Sequence, residues 1–270
     1  VRRALELRTL RLREWASSHV GFQLLDARPE DAFIVSFPRS GCTWLRTVCS
    51  NVLVPWGRAN PDVFNSLIPG ATIRGALRAR RLTSPRVVAS HAPYRRGLGR
   101  VVYVVRDGRD ALVSLYHYRI VRAGRAAEVS FPTFLAEHLA GEHGVSWHSH
   151  VEGWLRAGRA ELGDRLLLVR YEDVLADPHP HVRRVLDFLA VRATDAEVDA
   201  AIDGASLNTM RAVEARRLGG PLATERSFYR SGTATHGAGW FDADMLARFE
   251  EGAGAALALG GYASMLEHTP

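Results

Sequence analysis

The run Phe33-Ile-Val-Ser-Phe-Pro-Arg-Ser-Gly-Cys-Thr-Trp44 constrains this chain more than any other. An apolar, β-branched stretch stops at Pro38. Small and hydroxylated residues follow, and then Trp44, Leu45, Val48 and Val52 recur with helical spacing. This is the layout of a strand, a tight loop and a helix. The first N–H groups of such a helix point at an anion, and the helix dipole favours negative charge there. The nucleoside-triphosphate version of the loop needs an early glycine and a Lys-Ser/Thr pair, whereas here Gly41 is followed by Cys42 and Thr43. The loop asks for a phosphate but lacks the usual lysine.

Further strands are expected at 86–90, 101–105 and 166–169, after the first at 33–37. Helical patterns fall at 43–53, 109–122, 131–139, 146–156, 181–189 and 195–202. Strands separated by helices require parallel crossovers. The expected fold is therefore α/β, a P-loop-like doubly wound parallel sheet with helices on both faces, in a single domain over 1–270. In such a sheet ligands bind beyond the carboxyl ends of the strands, where Arg39, His91, Arg106 and Tyr171 all fall. Segments 57–85 and 211–239 carry several Gly and Pro breakers and read as irregular lids over the site.

All 35 basic residues are arginine, against 29 acidic ones, for a net charge of +6. Arginine offers a fixed charge and a planar fork suited to phosphate or sulfate, although most of these side chains fit a solvated surface. They are dispersed without a basic block carrying interleaved aromatics, which argues against nucleic acid as a partner. Residues 1–30 open with a basic segment in which arginine alternates with leucine. It suits either a helix lying on a membrane or partner, or a surface helix packed on the domain. No apolar run is long enough to span a membrane and no signal-peptide core is visible, so a cytoplasmic location is expected. Cys42 and Cys49 are too few for a disulfide framework and read as small buried residues. The histidines show no metal-ligand spacing.

Five segments in order resemble the PAPS-dependent sulfotransferases. They are the loop at 38–44, Val101–Tyr118, Val145–Trp154, the strand ending in Tyr171-Glu-Asp173, and Ser227-Phe-Tyr-Arg-Ser-Gly232. The resemblance implies transfer of a sulfuryl group from PAPS to a hydroxyl of an organic acceptor, a small phenol, alcohol or natural product, leaving PAP and needing no metal. It implies that Arg39, Ser40, Gly41, Cys42, Thr43 and Trp44 hold the 5′ side. Arg106 and Ser114 would hold the 3′-phosphate, completed by Arg230, Ser231 and Gly232, with Trp44 and Tyr171 near the adenine. His91 would be the general base. Each residue also has a plainer role open to it: a turn histidine at His91, core packing for Trp44, an ion pair of Arg106 with Asp107 or Asp110. The chain departs from the family pattern at Arg39, where many soluble members carry lysine, and at Ala89, where they carry a second one. Arg95 or Arg96 could supply that missing charge. It also departs at Leu207, where an aromatic is usual, and in the longer loop 230–240. A triphosphate-dependent phosphotransferase and a non-catalytic nucleotide-binding module are the alternatives.

Overall fold

The computed structural model describes residues 20–266 except 22, 55–60, 84, 231, 236 and 238. Four strands, β1 (Ala32–Ser36), β2 (Val87–Ser90), β3 (Arg100–Val105) and β4 (Leu166–Arg170), form one sheet in the order β2-β1-β3-β4. Every neighbouring pair is parallel. All four match the strands expected from sequence to within a residue at each end.

The alternation of side chains divides the core in two. Phe33, Val35, Val101, Tyr103 and Val105 point to one face, while Ile34, Val102, Val104, Leu167 and Val169 point to the other. The second face is covered by α1 (Cys42–Leu53), whose Leu45, Val48 and Cys49 are buried there. α2 (Pro61–Leu67) and α3 (Ile73–Ala79) follow α1 in the chain. The first face packs against α4 (Gly108–Tyr116), α5 (Phe131–Leu139) and α6 (Trp147–Glu152). The chain continues through α7 (Arg159–Leu162), β4, α8 (Tyr171–Ala176), α9 (Pro178–Phe188), α10 (Asp195–Gly204) and α11 (Leu207–Leu218) to α12 (Ala243–Gly260). α9 and α10 bury Val182, Val185 and Val198 on the α1 face, and α12 buries Phe249 and Ala253 opposite.

Some expectations need correcting. Segment 57–85 is not wholly irregular, since it contains α2 and α3. Segment 211–239 begins inside α11, which runs to Leu218 before the C-cap Gly219 turns into the left-handed region (φ 78°). The helix expected over 109–122 is α-helical only to Tyr116 and continues as a π-helical turn over His117–Val121. The stretch expected as one helix over 146–156 likewise changes to π geometry at Gly153–Gly158. α12, the longest helix among the described residues, lies outside the helical patterns expected from sequence, because its glycines Gly252 and Gly254 break the apolar rhythm. The basic segment expected at 1–30 lies largely outside the described residues.

Strand order fixes where a ligand can enter. From β1 the chain moves to one side to form β2, then crosses back over β1 to form β3 and β4. The connections leaving β1 and β3 therefore diverge, and the crevice of the sheet opens between their carboxyl ends. The loops that border it carry Arg39 and Arg106.

Candidate active site

The loop after β1 is built to leave donors unpaired. Among the described residues, seven helices are capped by a side chain that accepts from an early N–H: Thr72, Asp107, Ser130, Ser146, Thr194, Ser206 and Asp242. α1 has no such cap. Its N-cap is Gly41, in the left-handed region at φ 100°, and its first turn holds no acidic residue. A Cβ on Gly41 would lie 2.6 Å from Cδ2 of Tyr171, so the ring of Tyr171 closes directly over the loop. Arg39 also has positive φ (70°), which turns its side chain across the crevice.

Three arginines converge here, none of them in an ion pair among the described residues, with the Asp110 charge acting on Arg106 and Arg230 from a distance. Arg39 donates from Nε to Ser114 Oγ (3.2 Å) and from Nη2 to the Phe228 carbonyl (2.7 Å). Its guanidinium lies 4.3 Å over the Phe228 ring and 5.2 Å over that of Tyr118. Arg106 donates to the carbonyls of Arg39 (3.1 Å) and Thr233 (2.8 Å) and lies 4.6 Å over the ring of Tyr171. The Nε groups of Arg106 and Arg230, and the Ser40 hydroxyl, are buried without a hydrogen-bond partner. Burial lowers the Arg39 pKa to about 10, with the Tyr118 hydroxyl opposing that shift and the Arg106 charge adding to it. Burial and the Arg106 charge lower Arg230 as well. Arg39 stays charged at neutral pH. Buried donors left unsatisfied are costly, so an anion placed here could satisfy them.

The acids near Arg106 are occupied elsewhere. Asp107 and Glu250 bind Arg109 (2.7 and 3.1 Å). Asp110 accepts from the Thr235 amide and hydroxyl (2.8 and 2.7 Å) and from the Gly237 amide (2.9 Å). Burial works against ionisation of Asp110, but these bonds outweigh it and lower its pKa. The ion pair of Arg106 with Asp107 or Asp110, left open by the sequence, is not formed. Asp110 instead ties the late loop to α4. That loop is held again by Glu214, which accepts from Ser227 Oγ (2.5 Å) and the Phe228 amide (2.9 Å), and by Arg211, which donates to the Tyr229 carbonyl (2.8 Å).

His91 follows β2 at the same edge. Its Nδ1 lies 2.9 Å from the Ser36 carbonyl, which fixes the proton on Nδ1 and leaves Nε2 with a free lone pair. The residue is exposed where it borders the cavity, while the protein packed beside the ring withdraws part of its hydration. That desolvation lowers its pKa below the usual histidine range; the Ser36 bond opposes the shift, and the charges of Arg46 and Arg39 add to it.

One cavity of about 480 Å³ joins these groups. It is lined by Arg39, Gly41, Cys42, Thr43, Trp44, His91, Arg106, Ser114, Tyr171, Arg230 and Gly232. Every site residue expected from sequence therefore borders it except Ser40, buried in the loop just behind, and Ser231, which lies outside the described residues. Trp44 is half-buried and faces the cavity, so its role is not core packing alone. Leu207 lines the same wall, with Ile202 and Met210. The Cys42 thiol donates to the Ile34 carbonyl (3.8 Å), and burial raises the pKa of both thiols, that of Cys49 to about 12. Among the described residues no group of three or more His, Cys, Asp or Glu could hold a metal, and no helix is long and apolar enough to cross a membrane.

Two expectations are corrected. Arg95 and Arg96 do not line the cavity, and Arg96 sits on the surface 3.7 Å from Glu161. The second charge beside His91 belongs to Arg46, one turn along α1 and bound to the Ile68 carbonyl (3.1 Å) and Asn65 (2.9 Å). The two anion sites kept apart in the sequence reading are also joined, because Arg39 reaches Ser114. Sequence reasoning missed the supporting tryptophans. Trp147 donates to the Arg106 carbonyl (3.2 Å) and Trp154 to the Ala92 carbonyl (3.1 Å), so both brace a peptide at or next to a site residue.

A family model described as "Sulfotransferase domain" matches residues 29–261. Human sulfotransferase 1E1 is 27% identical over 206 residues, covering 70% of this chain and 69% of that protein. Human sulfotransferase 2B1 is 33% identical over 177 residues, covering 61% of this chain and about half (47%) of that protein. Among solved structures, mouse sulfotransferase SULT7A1 complexed with PAP aligns with a TM-score of 0.67 at 22% identity, over 89% of both chains. Retinol dehydratase, in complex with androsterone and inactive cofactor PAP, aligns with a TM-score of 0.66 at 18% identity, over 91% of this chain and 85% of that one. These two likenesses show a shared fold.

Proposed function

The chain belongs to the sulfotransferase family, and from that premise we propose that it transfers a sulfuryl group from PAPS to the hydroxyl of a small organic acceptor. The observation that carries this reading is one cavity holding both halves of the chemistry. An uncapped helix N-terminus and three arginines that form no ion pair among the described residues stand on one side, and a neutral His91 with an open Nε2 on the other. PAP accompanies the structures of two proteins that share the fold.

The residues fit a nucleotide bearing phosphates at both ends of its ribose. Ser40 Oγ, the α1 amides and Arg39 face the 5′ side. Arg106 Nε, Ser114 and Arg230 Nε face the 3′-phosphate, and Trp44, Leu207 and Tyr171 provide walls for the base. Transfer requires the acceptor oxygen to attack sulfur while the bond from sulfur to the phosphate oxygen breaks. His91 Nε2 takes the hydroxyl proton as the new S–O bond forms. Arg39 and the loop amides stabilise the negative charge left on the phosphate oxygen. Arg39 acts by charge and not as a proton donor, since even the lowered pKa of about 10 keeps it protonated at neutral pH.

A thermal-shift comparison of PAP, AMP, ATP with magnesium, and NADP tests the donor class. Selective stabilisation by PAP is expected, and a ligand at a hundred times its dissociation constant adds about 2.7 kcal/mol. Preferential stabilisation by ATP with magnesium would favour a phosphotransferase instead.

A further inference from the structure

A second surface, away from the cavity, has a composition of its own. On α3, Ile73 and Leu77 lie one turn apart and are 42% and 52% exposed. Arg74 and Arg78 lie one turn apart beside them, and Arg80 and Arg81 continue the row. All four arginines are exposed, and none forms an ion pair among the described residues. The inner side of α3 is packed tightly through Gly75, where a Cβ would lie 1.7 Å from the Gly70 carbonyl oxygen. The outer side is thus held in a fixed pose. Gly21 packs directly on the Thr72 backbone, which brings Val20 and Leu24 (38% and 37% exposed) alongside α3. No acidic residue occurs between Val63 and Ser90. Asp26 and Glu30, near this end, act on the buried Arg86. The chain preceding Val20 continues the same mixture in sequence, with Arg2, Arg3, Arg8, Arg11 and Arg13 among leucines.

We propose that the outer face of α3, with Val20 and Leu24, is a docking surface for the anionic headgroups of a lipid bilayer, on which the protein sits peripherally. Charge complementarity selects the partner: four arginines without counter-ions gain from a negative surface potential that falls off within a Debye length. The exposed Ile73 and Leu77 select lipid over a plain polyanion, because short apolar side chains flanked by arginine enter the boundary between headgroups and acyl chains. The surface is independent of the donor site, so it stands or falls apart from the transfer reaction.

Co-sedimentation of the full chain with vesicles of equal parts phosphatidylcholine and phosphatidylserine, against phosphatidylcholine alone, tests it. Sedimentation is expected only with the anionic vesicles and should weaken as salt rises. Replacing Arg74, Arg78, Arg80 and Arg81 together by alanine should reduce partitioning by about five-fold per arginine. The pair Ile73→Ser and Leu77→Ser should reduce it by about ten-fold. An unchanged melting temperature and an unchanged thermal shift with PAP establish that both variants fold. Wild type that stays in the supernatant, or an arginine variant that partitions like wild type, overturns the proposal. So does binding that ignores the serine pair and is displaced by duplex RNA, which would make this a nucleic-acid surface.

Discussion

Replacing Arg106 by methionine separates ligand binding from stability, because the structure assigns the two opposite demands. Against a bound 3′-phosphate, Arg106 would supply a charge-assisted bond from a donor that is otherwise buried and unpaired. Such a bond contributes about 1.5–3 kcal/mol, so PAP affinity should fall by about 10- to 150-fold. Without ligand, Arg106 makes two bonds to backbone carbonyls, at Arg39 and Thr233, each contributing about 0.5–1.5 kcal/mol. Its charge also repels Arg39 and Arg230, whose pKa values it helps to lower. Removing it loses the bonds and relieves the repulsion, so unfolding in urea should shift by no more than about 1–2 kcal/mol. Isothermal calorimetry with PAP and with AMP, which lacks the 3′-phosphate, isolates the end assigned to Arg106 in the proposal. PAP affinity should collapse towards that of AMP, while AMP binding changes little. Equal losses for the two ligands, or unchanged PAP affinity in a folded variant, would refute the 3′-phosphate assignment.

Gly41→Ala forces an L-residue into φ 100° with its Cβ against Tyr171; it should cost about 1–3 kcal/mol of stability and weaken PAP binding, both measurable by thermal shift. His138 and His150 are buried with pKa values pushed down to about 3, mainly by desolvation, with the His143 charge adding for His138 and that of His91 for His150. The unfolded chain takes up these protons first, near pH 6.5, so stability should fall as pH drops through 6.5 towards 3, by about 1.4 kcal/mol per pH unit for each histidine. Urea midpoints that stay constant between pH 7 and pH 4 would contradict this. Because arginines and loop amides are assigned to neutralise the leaving oxygen, turnover should survive EDTA, and a loss restored by magnesium would return the reaction to metal-assisted phosphotransfer.

The parts of this molecule legible in its sequence are those where chemistry and period agree. The β-branched strands, the glycine at a positive-φ turn and the arginines at strand ends each satisfy a local rule and a global one together. What was hidden depends on long-range partners. Nothing local announces that Arg39 reaches Ser114, 75 residues away, or that Asp110 holds a loop about 125 residues downstream. Arg46 looks like a surface residue on an amphipathic helix until α2 folds over it and supplies Asn65 and the stacked ring of Phe64, 5.0 Å away. The glycines of α12 obscured a helix that owes its place to the burial of Phe249, Ala253 and Leu257 in the core beside α6, where the Phe249 ring meets that of Trp147. The π-helical turn at His117–Val121 follows no sequence period, although it carries Tyr118 to the guanidinium of Arg39.

The most direct measurement of the account is the rate of labelled sulfate transfer from PAPS to a phenol by wild type and by His91→Ala, at saturating donor and across pH. The wild-type rate should rise as the imidazole loses its proton, with a midpoint below the usual histidine value because desolvation disfavours the charged ring. His91→Ala should bind PAP almost as tightly as wild type while its turnover falls by about 10²–10⁴, the usual contribution of general acid–base catalysis. Comparable turnover by the two proteins would contradict the account and leave His91 a turn histidine bound to the Ser36 carbonyl.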